Sequence, residues 1–174
     1  MKKYELLEND TVKLSGIIMY RIKALRSFGY IKKGELGGYI EKEYNLSHNG
    51  NCWVSNDSWV FCDARVLGNA TVQYSEMVYD NALVYGNAKI YDGAIVCDNA
   101  RVYENAVIAG DAEVRGDATV RGDATVAGDA LISEQKDIVW FSNFSSEGET
   151  LTVYRGKKDG ELLVTCKGLS LIHI

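Results

Sequence analysis

Proline is absent from all 174 residues, and histidine occurs only at His48 and His173. A proline-free chain that is 47% hydrophobic can hold one elongated core with small caps. The four cysteines, Cys52, Cys62, Cys97 and Cys166, form no Cys-x-x-Cys pair, so neither a disulfide framework nor a zinc site is indicated, and no metal or cofactor is expected. Long apolar runs are missing as well. None approaches the length of a membrane-spanning helix, and Met1-Lys2-Lys3-Tyr4-Glu5 leads into acidic and polar residues rather than the apolar segment of a signal peptide. A cytoplasmic location without a membrane partner is therefore expected. Positive charge is outnumbered, and the net charge of -5 gives no global attraction to nucleic acid, so direct nucleic-acid binding is not expected either.

What the chain has in abundance is a period of six. Fourteen aliphatic residues stand six apart: Val54, Val60, Val66, Val72, Val78, Val84, Ile90, Val96, Val102, Ile108, Val114, Val120, Val126 and Ile132. Neither a helical period of 3.6 nor plain alternation gives an unbroken six, so each hexad is one unit of a repeat architecture. Two residues earlier stands Ala in eleven hexads, with Cys52 and Ser58 as small substitutes and Glu76 as the one departure. The preceding position is Asn or Asp in twelve of the fourteen, residues that tolerate tight corners and bond their own turns. Each hexad thus reads as a corner, a small inward residue and a short β-branched strand. Stacking hexads at about 4.8 Å buries each Val between two others, worth roughly 1.5 kcal/mol or more apiece.

Residues 50–133 closely resemble the hexapeptide repeat of left-handed parallel β-helices, in which three hexads make one triangular coil. The resemblance implies an all-β fold of between four and five coils. Its left hand comes only from that resemblance, because the usual crossover rule favours the right-handed form. Residues 1–49 are expected to cap the first coil. Ile18, Tyr20, Ile22 and Ala24 alternate as in a strand, and Gly34, Gly37 and Gly38 read as turns before Tyr39-Ile40. Residues 134–168 read as a C-terminal β-hairpin, with Leu151-Thr152-Val153-Tyr154 and Leu162-Leu163-Val164 joined through Asp159-Gly160. The last six residues, 169–174, match the translation of a transposon end used in sequencing libraries. They are expected to be a scar, so His173 is given no role.

Arg21-Ile22-Lys23-Ala24-Leu25, Phe28-Gly29, Gly37-Gly38-Tyr39-Ile40 and Asn45-Leu46-Ser47, running straight into the hexads, resemble a little-characterised family of bacterial and prophage proteins often labelled acyltransferases. That resemblance implies a phage or gut-bacterial setting but brings no agreed activity. Hexapeptide acyltransferases use a histidine base and a loop extruded from a coil, and the fourteen hexads contain neither. The carbonic anhydrases of this fold need three histidine ligands, which the chain lacks. His48, in Ser47-His48-Asn49-Gly50, reads as a solvated turn residue.

Residues flanking each inward Val point outward, and positions 18 apart stack in columns. One face carries Trp59, Met77 and Ile95 beside Phe61, Tyr79 and Cys97, and is the expected contact of a homo-oligomer, dimer or trimer, unless a terminal segment covers it. A second carries Leu67, Tyr85 and Tyr103, ending at Arg121. Tyr85, Tyr103, Arg101, Arg115 and Arg121 form the expected binding surface, since aromatic area and forked donors suit a nucleotide or a protein hot spot. Asp111, Asp117, Asp123 and Asp129 are read as corner chemistry ahead of a phosphate-mimicking acidic surface. The function expected from the residues and the resemblance is a non-enzymatic, self-associating binding protein that sequesters or inhibits a host factor, such as a defence effector or its nucleotide signal. A hexapeptide acyltransferase is the alternative.

Overall fold

The computed structural model describes residues 2–143 and 145–166 together with the backbone of Leu169–His173; of the expected scar, Ile174 and the side chain of His173 lie outside it. The hexads wrap into a parallel β-solenoid of about five turns with three faces, each strand pairing with the strand one coil away. The first face stacks Val60, Val78, Val96, Val114 and Ile132. The second stacks Val66, Val84, Val102 and Val120. The third stacks Val54, Val72, Ile90, Ile108 and Val126. All fourteen are fully buried, as are the small residues two places before them. The sequence register therefore holds at every rung.

The ladder starts earlier than the first hexad. Ile40 pairs with Val60 and Leu46 bridges to Val66, both without solvent exposure, so the first coil is built partly from residues ahead of position 50. Its rungs lie 20 residues from the next coil instead of 18, because eight residues separate Leu46 from Val54. Gly37 and Gly38 belong to this coil and are not turns. They sit buried in the strand Leu36–Ile40, where a Cβ on Gly37 would stand 2.5 Å from the Val54 carbonyl oxygen and one on Gly38 would strike that of Ser58. Only a bare backbone fits that approach.

Corners carry their own columns. Asn69, Asn87 and Asn105 each donate Nδ2 to the residue one coil on, at 3.1, 3.1 and 2.9 Å, ending on Asp123. Asn81 and Asn99 do the same, ending on Asp117. An interior rung must donate and accept, whereas the last need only accept, so a carboxylate serves there. Two of the four aspartates thus terminate amide ladders.

Both ends are closed. Strands β1 (Tyr4–Leu14), β2 (Ile17–Ala24) and β3 (Leu36–Ile40) run antiparallel to one another, and β3 joins the first face. Arg21 ties the three strands together and to the corner below them: its Nε meets Asp10 at 2.9 Å, its fork reaches the Gly37 carbonyl, its Cζ lies 4.3 Å over the Tyr39 ring, and it extends to the Asn56 carbonyl and Asp57 at 3.4 Å. At the other end Ile138–Phe141, Leu151–Arg155, Leu162–Cys166 and Leu169–His173 form an antiparallel sheet, larger than the expected hairpin. Within a coil the N–H of residues such as Thr71 and Lys89 finds a carbonyl one coil on. Thr125 is on the last strand of the third face, and its N–H donates instead to Thr152 Oγ1 at 3.1 Å while its carbonyl accepts from Thr165. Side chains here replace the missing coil, which removes an exposed sheet edge.

Candidate binding face

The second face is built from Arg65–Val66, Leu83–Val84, Arg101–Val102 and Thr119–Val120. With each Val inward, the neighbours on either side project outward, which sets Arg65, Arg101, Tyr85, Tyr103 and Arg121 on one surface. The Tyr85 and Tyr103 rings stack at 4.7 Å and 10°, so the one-coil spacing fixes them as a rigid pair. Burial against this neighbour raises the Tyr85 phenol, with Arg101 pulling it partly back, and the hydroxyl stays protonated. Arg121 lies 5.5 Å over the Trp140 ring. Among the described residues none of Arg65, Arg101 and Arg121 makes an ion pair. Three unpaired guanidiniums beside two tyrosine edges form a surface suited to carboxylate or phosphate oxygens.

The fifth expected residue is elsewhere. Arg115 follows Val114 on the first face and pairs with Glu113 at 3.2 Å, because one hexad rotates the chain to the next face.

The first face itself is partly roofed by the N-terminal strands. Phe61 is buried beneath the cap with Met19 and Tyr39, and it stacks on Tyr79 at 5.1 Å. Trp59 and Tyr79 are partly buried against the same cluster, together with Val12, Leu14 and Ile17. Further along, Met77 and Ile95 remain half-buried.

His48 is not a freely solvated turn residue. Its Nδ1 accepts the Lys3 backbone N–H at 3.1 Å, its Nε2 meets Glu43 Oε1 at 2.9 Å, and its ring stacks on Tyr4 at 4.4 Å. The first bond assigns the proton to Nε2, so neither nitrogen is left as a base for a substrate. Bonds from Lys2 and then His48 hold the Glu43 carboxyl below the usual range.

Beside it is a contact with no sequence signal beyond a cysteine in an alanine slot. Lys3 is fully buried, with Nζ 2.8 Å from the Cys52 carbonyl and 3.2 Å from its Sγ. Burial lowers the Lys3 ammonium and raises the Cys52 thiol. The amine occupies a carbonyl at the open end of the core, which is a capping role. No group of three or more potential metal ligands occurs among the described residues, and no helix is long and apolar enough to cross a membrane. Compared with protein-family models and with curated proteins, the chain matches no family and no relative.

Proposed function

We propose that this is a non-enzymatic binding protein whose working surface is the tyrosine–arginine face. One observation carries the reading: among the described residues Arg65, Arg101 and Arg121 make no ion pair beside the Tyr85–Tyr103 stack, on a molecule whose net charge is negative. Such a surface selects anionic groups locally while the rest of the molecule repels polyanions. The ligand class is a nucleotide or an acidic patch on a protein. In the phage setting that the family resemblance suggests, the protein would sequester a host defence effector or its nucleotide signal. The engaged nitrogens of His48 support binding over acyl transfer. Self-association belongs to the same proposal, through the part of the first face around Met77 and Ile95 that the cap leaves half-buried.

The test is calorimetric titration with ATP and cyclic dinucleotides, and with lysate proteins captured on the immobilised chain. Binding that weakens in an Arg101→Ala, Arg121→Ala variant supports the proposal. Equal binding by that variant, or acyl transfer from acetyl-CoA that vanishes in His48→Ala, would overturn it.

A further inference from the structure

A second, chemically different site lies on the third face. The turn closed by the Phe28–Ile31 bridge overhangs the first two coils and leaves a cavity of about 360 Å³. Tyr30 stands at its rim, fully exposed, and Asn51, Trp53, Ser55, Asn69, Thr71 and Gln73 line it, Asn69 being already bonded in a corner column. Trp53 pairs with Thr71 one coil on, so Ser55 and Gln73 are neighbours in the same register and the polar groups spread over two coils.

Three features of this lining are unusual for the molecule. No charged side chain takes part in it. Among the described residues, the side chains of Asn51, Ser55, Thr71 and Gln73 make no hydrogen bond, whereas the corner asparagines are bonded coil to coil. Trp53 is 2% exposed, and its Nε1–H has no acceptor. That nitrogen is closed to solvent, so its N–H reports on an occupant of the cavity that Trp53 lines rather than contacting it. Trp59 also has an unpartnered indole nitrogen, but it packs against Met19, Tyr39 and Phe61 under the cap.

We infer that this cavity binds a neutral, polyhydroxylated ring: one or two sugar units. Hydroxyl groups donate and accept, which matches the two unbonded amides, Asn51 and Gln73, and the two hydroxyls, Ser55 and Thr71, of the lining. The apolar face of a pyranose fits the aromatic carbon of the fully exposed Tyr30. Phosphate and carboxylate find no cation there, which separates this site from the arginine face and makes the inference independent of the function proposed above. The volume sits at the small end of ligand sites, room for one or two rings.

The experiment is a titration of the ¹⁵N-labelled chain with N-acetylglucosamine, cellobiose and maltose, with adenosine in a parallel series, reading the three tryptophan indole N–H signals after through-bond assignment. The expected result is a saturable shift of the Trp53 signal with at least one sugar, the Trp59 and Trp140 signals staying in place. Gln73→Ala and the near-isosteric Thr71→Val should each weaken that sugar about three- to tenfold without changing the melting temperature. No Trp53 shift with any of the three sugars, a shift with adenosine alone, or undiminished affinity in both variants would overturn the inference.

Discussion

Ser58 and Glu76 meet inside the solenoid one coil apart, the serine hydroxyl donating to Glu76 Oε2 at 2.7 Å while Glu76 Oε1 accepts the Gly93 N–H at 3.2 Å. Glu76 is fully buried where the coils after it place Ala94 and Ala112. The corner leading into it is also unlike its neighbours, with Tyr74 and Ser75 both at positive φ, 72° and 75°, where among the described residues no other corner places two non-glycine residues in succession at such angles. Two non-glycine residues in succession at such angles store strain of about 1–3 kcal/mol each.

Burial raises the Glu76 carboxyl, with the bonds from Ser58 and Gly93 pulling it partly back. The folded chain therefore keeps a proton that the unfolded chain releases, and stability from this group is fully present below the ordinary glutamate value and lost as pH rises through the raised one. Glu76→Gln should melt higher than the parent at neutral pH and flatten the stability curve across that window. Parallel pH curves for the two proteins in thermal melts would contradict this.

Val96 is wedged between Val78 and Val114 with no exposure. Val96→Ala should cost about 2 kcal/mol in urea unfolding, from two lost methyl groups and the space they leave. Val96→Asp buries an unpaired charge and should abolish folding. A soluble Val96→Asp protein with unchanged melting would show the ladder register to be wrong.

The amide columns predict an asymmetry. Asn87→Asp removes a donor and turns a carboxylate toward the Asn105 carbonyl oxygen, so it should destabilise by about 1 kcal/mol. Asp123→Asn at the end of the same column should be close to neutral, since the Asn105 amide still finds an oxygen. Equal costs in chemical denaturation would remove the ladder's direction as an explanation.

On the second face, a Tyr85→Ala, Tyr103→Ala double variant should lose about 2 kcal/mol of binding, roughly thirtyfold in Kd, with binding that also weakens in salt. His48→Ala should bind as the parent does and lose about 1 kcal/mol of stability as the Lys3 and Glu43 ties go. Calorimetry beside urea unfolding separates the two effects.

Tyr79→Glu should loosen the N-terminal strands, seen as faster proteolysis there, because Tyr79 packs against that cap. Ile95→Glu should leave the cap intact and reduce the mass in light scattering to that of a monomer. An unchanged mass in Ile95→Glu would remove the first face as an oligomer contact.

The solenoid was legible because its signal is redundant: fourteen buried aliphatic positions repeat one spacing, and no single substitution hides it. Ile40 and Leu46 escaped because the two extra residues before Val54 break the period where the ladder begins. Gly37 and Gly38 carry the composition of a turn, and only the packed coil beneath them shows that the requirement is close approach. Tyr85, Tyr103, Arg101 and Arg121 could be grouped by counting in eighteens; Arg115, one hexad off, could not share their surface. The cavity under Tyr30 depends on where a turn from residues 28–31 lands, and long-range placement of that kind leaves no periodic trace.

Because both ends of the solenoid are closed, its length is counted in whole coils and its azimuth in hexads. Excising any 18 consecutive residues from the middle, 87–104 for example, would bring the two terminal sheets one strand spacing closer, about 4.8 Å, with every later rung still facing the same way. Excising six would instead rotate all that follows by a third of a turn, so Thr125 and its Thr152 and Thr165 clasp would turn together relative to the N-terminal strands. The molecule is in this sense a ruler with a phase, on which the separation and relative bearing of its surfaces can be reset independently.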